Sequence, residues 1–226
     1  MKIAIFDFNG TIFPKETMPF ILSQWYKLNY SKIKLVKVFL PLFPLYIKYK
    51  MGINNENISK EDMERQAVKG VSELFRGMKK SEVNEFFHKA EISASRYYNN
   101  EITKKIDDTN KKGYHTVLLS GAFKPLLINV KKRFKIDTVI GSEFTYKNEK
   151  FSSLKESDII SGSKKMERLQ QILGKREIDW SRSCAFADSF HDLPLFKKVG
   201  NPVVVEPDEN LASIAQKRNW EVIQTD

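Results

Sequence analysis

The stretch MKIAIFDFNGTIF (residues 1–13) decides the fold, because an apolar, β-branched run within it ends on a carboxylate. Residues 2–6, KIAIF, have the composition of a buried β-strand. Asp7 follows directly, and Gly10 after it suits a tight turn. Asn9, an amide, occupies the position where a second carboxylate would complete an acid/base pair. The stretch therefore predicts a strand whose carboxyl end carries chemistry.

Short apolar runs of the same kind recur further along the chain and alternate with helical patterns. The additional strand candidates are HTVLLS (115–120), TVIGSEF (138–144), SCAFA (183–187) and PVVVE (202–206). The helical patterns are LLINVKKRF behind Pro125, SKKMERLQQILG up to Gly174, and ENLASIAQKRNW, which is expected to close the chain. This alternation predicts an α/β fold with a doubly wound, Rossmann-like parallel sheet.

The long interval between the first two strand candidates offers helix signals and no convincing strand. Val68 and Val71, for example, belong to a run of apolar residues at helical spacing. We therefore predict an all-helical cap domain inserted at residues 14–108. An α/β core domain would comprise residues 1–13 and 109–226.

The composition favours anionic partners and an intracellular setting. Lys and Arg number 38 against 28 Asp and Glu, which gives a formal net charge of +10. Neither zinc-ligand spacing nor a nucleic-acid recognition motif accompanies this charge, so no nucleic acid is expected as a partner. A single cysteine, Cys184, and no signal-peptide pattern predict a cytoplasmic location.

Residues 25–52, WYKLNYSKIKLVKVFLPLFPLYIKYKMG, combine lysines with aromatic and aliphatic residues. Between residues 17 and 55 there are six lysines and no acidic residue. The lysines, Pro41 and Pro44 interrupt the apolar run, which is too short for a membrane span. Packing within the cap is the expectation, and peripheral contact with an anionic membrane is the alternative. The aromatic side chains expected in the cap core are Phe39, Phe43 and Tyr46.

Several strand candidates end on residues that suit phosphate chemistry. Ligands of open α/β sheets bind beyond the carboxyl ends of the strands, which is where we expect Asp7, Ser120 and Asp188. Asp192 follows four residues later, and Lys165 lies in the helix before the fourth strand. Phosphoryl transfer through an aspartyl phosphate requires such a set: a carboxylate nucleophile, carboxylates for Mg²⁺, and a hydroxyl and a lysine for the phosphoryl oxygens.

The chain resembles the haloacid dehalogenase-like hydrolase superfamily, in its phosphoserine phosphatase branch. The resemblance is carried by four motifs in the family's order: DFNGT (7–11), SGA (120–122), GSKKMERL (162–169) and ADSFHDLPLFKKVGNPVVVEPDENL (187–211). These motifs span nearly the whole chain. A helical cap inserted between the first two is also the arrangement of that branch.

The resemblance implies which residues hold the metal and react. Asp7 would be the nucleophile and a ligand of Mg²⁺. Asn9 would offer its backbone carbonyl to the same ion. Asp188 would be a further ligand, with Asp192 beside it to bind or orient ligands.

The resemblance also implies a phosphate-binding set. Ser120 and the backbone amide of Gly121 would bind the transferring phosphoryl group. Lys165, in the family's register Lys-x-Glu-x-Leu, would balance the charge of that group and take part in catalysis. Thr11 would shape the phosphate-binding loop.

Asn9 departs from the family pattern, in which an aspartate protonates the leaving alcohol and then deprotonates the attacking water. Loss of such general acid/base help typically costs about 10²–10⁴-fold in rate. Four explanations stand: a naturally impaired protein, a different acid on the cap or the substrate, a substitution made to trap a complex, or deamidation of Asn9-Gly10 to aspartate.

The sequence thus predicts a Mg²⁺-dependent phosphatase of a small phosphorylated metabolite, slowed by Asn9. A binding or regulatory protein on the same fold, attached to anionic membrane by residues 25–52, is the alternative. Haloacid dehalogenase activity is disfavoured, because that chemistry needs no metal whereas Asp188 and Asp192 are retained.

Overall fold

A computed structural model describes residues 1–50 and 60–224, with the backbone alone for residues 45, 46, 48–50, 60 and 163. In this part of the chain, six parallel strands form one sheet. They are β1 (Ile3–Phe6), β2 (His115–Phe123), β3 (Thr138–Ser142), β6 (Cys184–Ala187), β7 (Asn201–Val205) and β8 (Glu221–Ile223). A separate antiparallel pair consists of β4 (Thr145–Lys147) and β5 (Lys150–Ser153). The order across the main sheet is β3-β2-β1-β6-β7-β8.

Nine α-helices accompany the strands in the described residues. Five lie between β1 and β2: α1 (Thr17–Lys27), α2 (Lys32–Lys50), α3 (Lys60–Ser72), α4 (Lys80–Ala94) and α5 (Asn100–Lys111). Four follow β2: α6 (Lys124–Phe134), α7 (Gly162–Leu173), α8 (Leu193–Phe196) and α9 (Glu209–Lys217).

Strand β1 lies in the middle of the sheet because both of its faces are apolar. Ala4 and Phe6 are buried in the core on one side of the sheet, and Ile3 and Ile5 in the core on the other. β1 pairs in parallel with β2 and with β6, so the strand order reverses beside it. This reversal is the switch point at which open α/β sheets bind ligands. The predicted doubly wound parallel sheet is confirmed.

The helices between β1 and β2 pack on one another through an aromatic cluster that reaches the sheet. Phe75 and Phe86 have ring centroids 5.1 Å apart, and Phe87 lies 5.8 Å from Phe123 at the end of β2. Among the described residues no strand occurs in this interval, as expected for a helical cap. The domain limits at residues 13 and 108 stay a prediction, and the second falls inside α5.

The prediction of which aromatic side chains form the cap core is wrong in part. Phe39 and Phe43 are 44% and 47% exposed, so neither side chain is buried in the cap core. The side chain of Tyr46, like residues 51 and 52 of the lysine-rich segment, lies outside the described part of the chain. None of the described helices is both long enough and apolar enough to cross a membrane.

Two features of the main sheet also differ from expectation: the end of β2 and an additional last strand. β2 continues past Ser120 to Phe123, with an irregularity in its register against β3, and α6 begins only at Lys124. The last helix pattern does not close the chain, because β8 follows α9 and pairs with β7.

Candidate active site

The loop after β1 holds Asp7 in a buried, fixed position. The Asp7 amide donates a hydrogen bond to the carbonyl of Phe186 at 2.9 Å, which extends the pairing of β1 with β6. Gly10 has a φ of +67°, a conformation that favours glycine, and its amide donates to the carbonyl of Phe13 at 2.8 Å. The side chains of Phe8 and Phe13 are buried beneath the turn and stack on each other. The Asp7 carboxylate is thereby aimed beyond the carboxyl edge of the sheet.

Three carboxylates meet at this edge. One oxygen from each of Asp7, Asp188 and Asp192 lies within 4.8 Å of the other two. Asp188 follows β6, and Asp192 ends the short 3₁₀ turn behind it. Gly10 makes the approach possible, because a Cβ atom there would lie 2.1 Å from Oδ2 of Asp188. The first and last motifs of the sequence thus form one acidic cluster.

Lys165 faces the acidic cluster from α7. Its Nζ lies 2.7 and 3.0 Å from the two carboxylate oxygens of Asp192 and 3.2 Å from Oδ1 of Asp7. Burial alone would lower the pKa of this amine, but the charges of Asp192 and Asp7 raise it above its usual range. The side chain is therefore an ammonium ion paired with two members of the cluster, Asp7 and Asp192.

The carboxylates carry more negative charge than one lysine balances. Burial raises the pKa of Asp7 to about 6 although Lys165 opposes the shift. Burial, followed by the charges of Asp7 and Asp192, raises the pKa of Asp188 well above its usual range. Oδ1 of Asp7 is buried, and among the described residues its polar contact is the Lys165 ammonium at 3.2 Å. When all three carboxylates are ionised, one ammonium leaves two negative charges, which matches a divalent cation with oxygen ligands.

Ser120 and Gly121 form the side of the site that belongs to β2. Ser120 is 1% exposed, and its Oγ accepts a hydrogen bond from the Ala122 amide at 3.3 Å. A Cβ atom at Gly121 would lie 2.8 Å from the carbonyl oxygen of Ile160, so only glycine fits this approach. Thr11 is fully buried behind the loop, and its hydroxyl has no hydrogen-bond partner among the described residues.

Asn9 connects the loop after β1 to the cap. Its Oδ1 accepts a hydrogen bond from the hydroxyl of Thr17, the first residue of α1 and itself fully buried. An amide in this place offers hydrogen bonds but exchanges no proton near neutral pH. The position that would hold a general acid therefore holds a polar side chain without acid function.

A cavity of about 380 Å³ lies between the cap and the carboxyl edge of the sheet. Seven of the eight predicted site residues line it: Asp7, Asn9, Ser120, Gly121, Lys165, Asp188 and Asp192. The eighth, Thr11, does not. The structure thus brings together residues from every predicted motif.

The cavity also has walls that the sequence patterns left unassigned. On the cap side, it is lined by apolar residues that include Met18, Leu22, Leu42 and Val71. On the core side, Ser161 precedes the first turn of α7, and its buried hydroxyl has no hydrogen-bond partner among the described residues. A serine just before a helical pattern is a typical N-cap signal and could have indicated this residue.

Comparison with known sequences identifies relatives of this chain. A family model of haloacid dehalogenase-like hydrolases matches residues 4–197. The phosphoserine phosphatase SerB1 of Mycobacterium tuberculosis is 24% identical over 110 residues, which cover 49% of this chain and 36% of that protein. The histidinol-phosphatase of Neisseria meningitidis is 29% identical over 122 residues, which cover 49% of this chain and 52% of that protein. The chain thus spans at most about half the length of these relatives.

Solved structures share the fold across almost the whole chain. A protein of unknown function from Bordetella pertussis has a TM-score of 0.74 and 17% identity, and the match covers 98% of this chain and 97% of that one. A substrate-bound phosphoserine phosphatase has a TM-score of 0.60 and 19% identity, with 98% and 92% covered. At these identities the likeness concerns the fold alone. Because the family model spans most of the sequence, the chain belongs to the haloacid dehalogenase-like hydrolases.

Proposed function

We propose that this chain is a Mg²⁺-dependent phosphatase of small phosphomonoesters that reacts through an aspartyl phosphate on Asp7. The observation that carries the proposal is the buried Asp7 carboxylate, 3.2 Å from the Lys165 ammonium and clustered with Asp188 and Asp192. A carboxylate so placed at the switch point of the sheet is positioned to attack a bound phosphoryl group. The names of the curated relatives support the same reaction class.

In the first step, a carboxylate oxygen of Asp7 attacks phosphorus and the bond from phosphorus to the leaving oxygen breaks. The Lys165 ammonium, 3.2 Å from Asp7, balances negative charge on the transferring oxygens. The Ser120 hydroxyl and the Gly121 amide would bind the same group, because both residues line the same cavity. Close packing of Gly121 against Ile160 fixes the position of that amide.

The acidic cluster fits a magnesium ion. Asp7 and Asp188 would supply carboxylate oxygens and Asn9 its backbone carbonyl, with Asp192 beside them. When bound, the ion would neutralise the two excess negative charges and polarise the phosphoryl oxygens. Without such compensation, the cluster would repel a phosphate dianion, since each carboxylate lies within 4.8 Å of the others.

Asn9 sets the expected rate of the second step. Hydrolysis of the aspartyl phosphate requires a base for the attacking water, and the Asn9 amide is not a base. The leaving oxygen of the first step receives no proton from Asn9 either. Substrates with good leaving groups would therefore phosphorylate Asp7, while release of phosphate would be slow.

The test compares phosphate release by the parent chain, Asn9→Asp and Asp7→Ala, with Mg²⁺ and with chelator. The substrates are an aryl phosphate, phosphoserine and histidinol phosphate, chosen from the names of the relatives. We expect Mg²⁺-dependent release that rises about 10²–10⁴-fold in Asn9→Asp and vanishes in Asp7→Ala. An inactive Asn9→Asp protein that still melts cooperatively would refute the proposal.

A phosphate-ester binding protein is the second candidate, favoured by Asn9 alone. It predicts that Asp7 never becomes phosphorylated. Mass spectrometry after acid quench distinguishes the two, because a phosphatase slowed by Asn9 would accumulate an aspartyl phosphate on the peptide that contains Asp7. A binding protein would retain the unmodified peptide at every time point.

A further inference from the structure

Helix α2 presents a row of large apolar side chains to solvent. The row, here called the α2 apolar face, consists of Ile33, Val36, Leu40, Phe43 and Ile47. Ile33 and Leu40 are 71% and 65% exposed, which is unusual for side chains of this size. Single exposed apolar residues are common on proteins, but a contiguous row of five calls for a partner.

The spacing of these residues places them on one side of the helix. Positions three and four apart are neighbours on a helix surface, and the five positions fall within an arc of about 80° at 3.6 residues per turn. The opposite side of α2 attaches it to the cap: Val38 is buried, and Leu42 packs against Gly70 of α3. Lys34 donates hydrogen bonds to the carbonyls of Leu74 and Arg76. Within the described part of the chain, the outer side is therefore exposed to solvent.

All charged residues of α2 are positively charged. α2 contains no acidic residue, and the exposed side chains of Lys32 and Lys37 flank the apolar row. Tyr26, at the end of α1, is 58% exposed, and Nζ of Lys32 lies 5.7 Å from its ring centroid. Apolar rows bordered by lysines and an interfacial aromatic residue are typical of helices that lie in the headgroup region of a bilayer.

We propose that the α2 apolar face binds the surface of an anionic lipid bilayer. Lipid phosphates complement the lysine border, and the acyl boundary receives the apolar row. A second copy of this chain fits less well, because it would bring the same lysines together. Since α2 is not apolar enough to cross a membrane, the helix would lie along the surface. This surface is distinct from the catalytic cluster, and the proposal does not depend on phosphatase activity.

The position of Phe39 connects this surface to the cavity. Phe39 is half exposed on α2 and also lines the cavity, together with Leu42. A bilayer bound to the α2 apolar face would thus lie beside the cap wall of the cavity. The inference concerns docking of the protein at the membrane, and a soluble substrate would still reach the site in solution.

The experiment is flotation of the full chain with two kinds of vesicle. One kind is phosphatidylcholine alone, and in the other a quarter of the lipid is phosphatidylglycerol. We expect the chain to float with the anionic vesicles, to remain largely unbound with phosphatidylcholine, and to detach as salt is raised.

Two sets of variants test which residues bind the vesicle. Leu40→Ser and Phe43→Ser remove apolar area from the face, and each is expected to weaken binding at least about tenfold. Their matched controls are Ile92→Ser and Ile172→Ser, which change exposed apolar residues of α4 and α7 and should bind as the parent does. All four positions are more than a third exposed, so the melting temperature should change little.

Charge reversal completes the design. Lys32→Glu with Lys37→Glu should abolish the preference for anionic vesicles, whereas Lys111→Glu with Lys112→Glu, at the exposed end of α5, should preserve it. A parent chain that fails to float with anionic vesicles would overturn the proposal. So would face variants that bind as tightly as the parent, or a change in molecular mass without vesicles that shows self-association through this face. Hydrolysis of a soluble aryl phosphate by every variant reports separately on the catalytic site.

Discussion

Replacing the nucleophile candidate should make the metal-free protein more stable. Burial raises the pKa of Asp7 from 3.8 to about 6, even though the Lys165 ammonium opposes the shift. The folded state therefore binds a proton at Asp7 more tightly than the unfolded chain does. Above pH 6 the ionised carboxylate destabilises the fold, and below pH 3.8 both states are protonated and the effect disappears. In the variant Asp7→Asn the side chain is neutral at every pH.

The size of the gain follows from the shift. A change of one pKa unit corresponds to about 1.4 kcal/mol, so the rise of Asp7 from 3.8 to about 6 corresponds to about 3 kcal/mol at neutral pH. The asparagine keeps nearly the same shape, so little packing is lost. We expect the free energy of unfolding of Asp7→Asn to exceed that of the parent by about 2–3 kcal/mol.

Urea unfolding at pH 7.5 in chelator measures this difference, and a second series at pH 4.5 should show most of it gone. Excess Mg²⁺ should stabilise the parent far more than the variant, because the proposed site holds the ion with the same carboxylate. The matched control is Asp107→Asn, an identical change on the exposed side of α5, with an expected effect within about 0.5 kcal/mol. A variant less stable than the parent in chelator at pH 7.5 would refute the reasoning.

Three further substitutions test other parts of the structure. Gly10→Ala should reduce Mg²⁺ affinity at least about tenfold in a thermal-shift titration, because the new Cβ would displace the Asp188 carboxylate that lies 2.1 Å from its position. Lys165→Met should lower the free energy of unfolding, measured in urea with chelator, by about 3–5 kcal/mol, because it leaves buried carboxylates without their cation. Unchanged stability would contradict that pairing. Glu91→Ala should lower the free energy of unfolding by about 1–3 kcal/mol, because the Glu91 carboxylate, 4% exposed, binds the Arg133 guanidinium at 3.0 Å. A double-mutant cycle with Arg133→Ala measures the coupling between the two side chains.

The parts of the fold that the sequence predicts are those with continuous burial. Strand β1 and strand β7 are apolar over several residues because helices cover both faces of the sheet. β8 escaped prediction because three residues, of which only Ile223 is buried, carry too little pattern. The pair β4 and β5 escaped because its turn, Asn148-Glu149, adopts positive φ at both residues without the glycine that usually marks such a turn.

The candidate site likewise has residues that the sequence predicts and residues that it does not. Asp7 and Asp188 could be placed from the sequence because each directly follows a short apolar strand, and parallel strands end at one edge. Lys165 required the family register, since a helix lysine is ordinarily solvated. The cap wall could not be placed, because residues such as Met18 and Phe39 reach the cavity only through the packing angle of their helices. That angle depends on contacts distant in sequence, and Phe39 was accordingly expected in the wrong environment.

The central position of β1 has a consequence for how the chain folds as it is synthesised. Its partner β2 follows the cap, but its other partner, β6, comes late in the sequence. At ribosomal speeds of about 5–20 residues per second, the emerging protein spends several seconds with one edge of β1 uncovered. An uncovered edge strand is a template for aggregation, so truncated chains that end before Cys184 should need chaperones more than the full chain does.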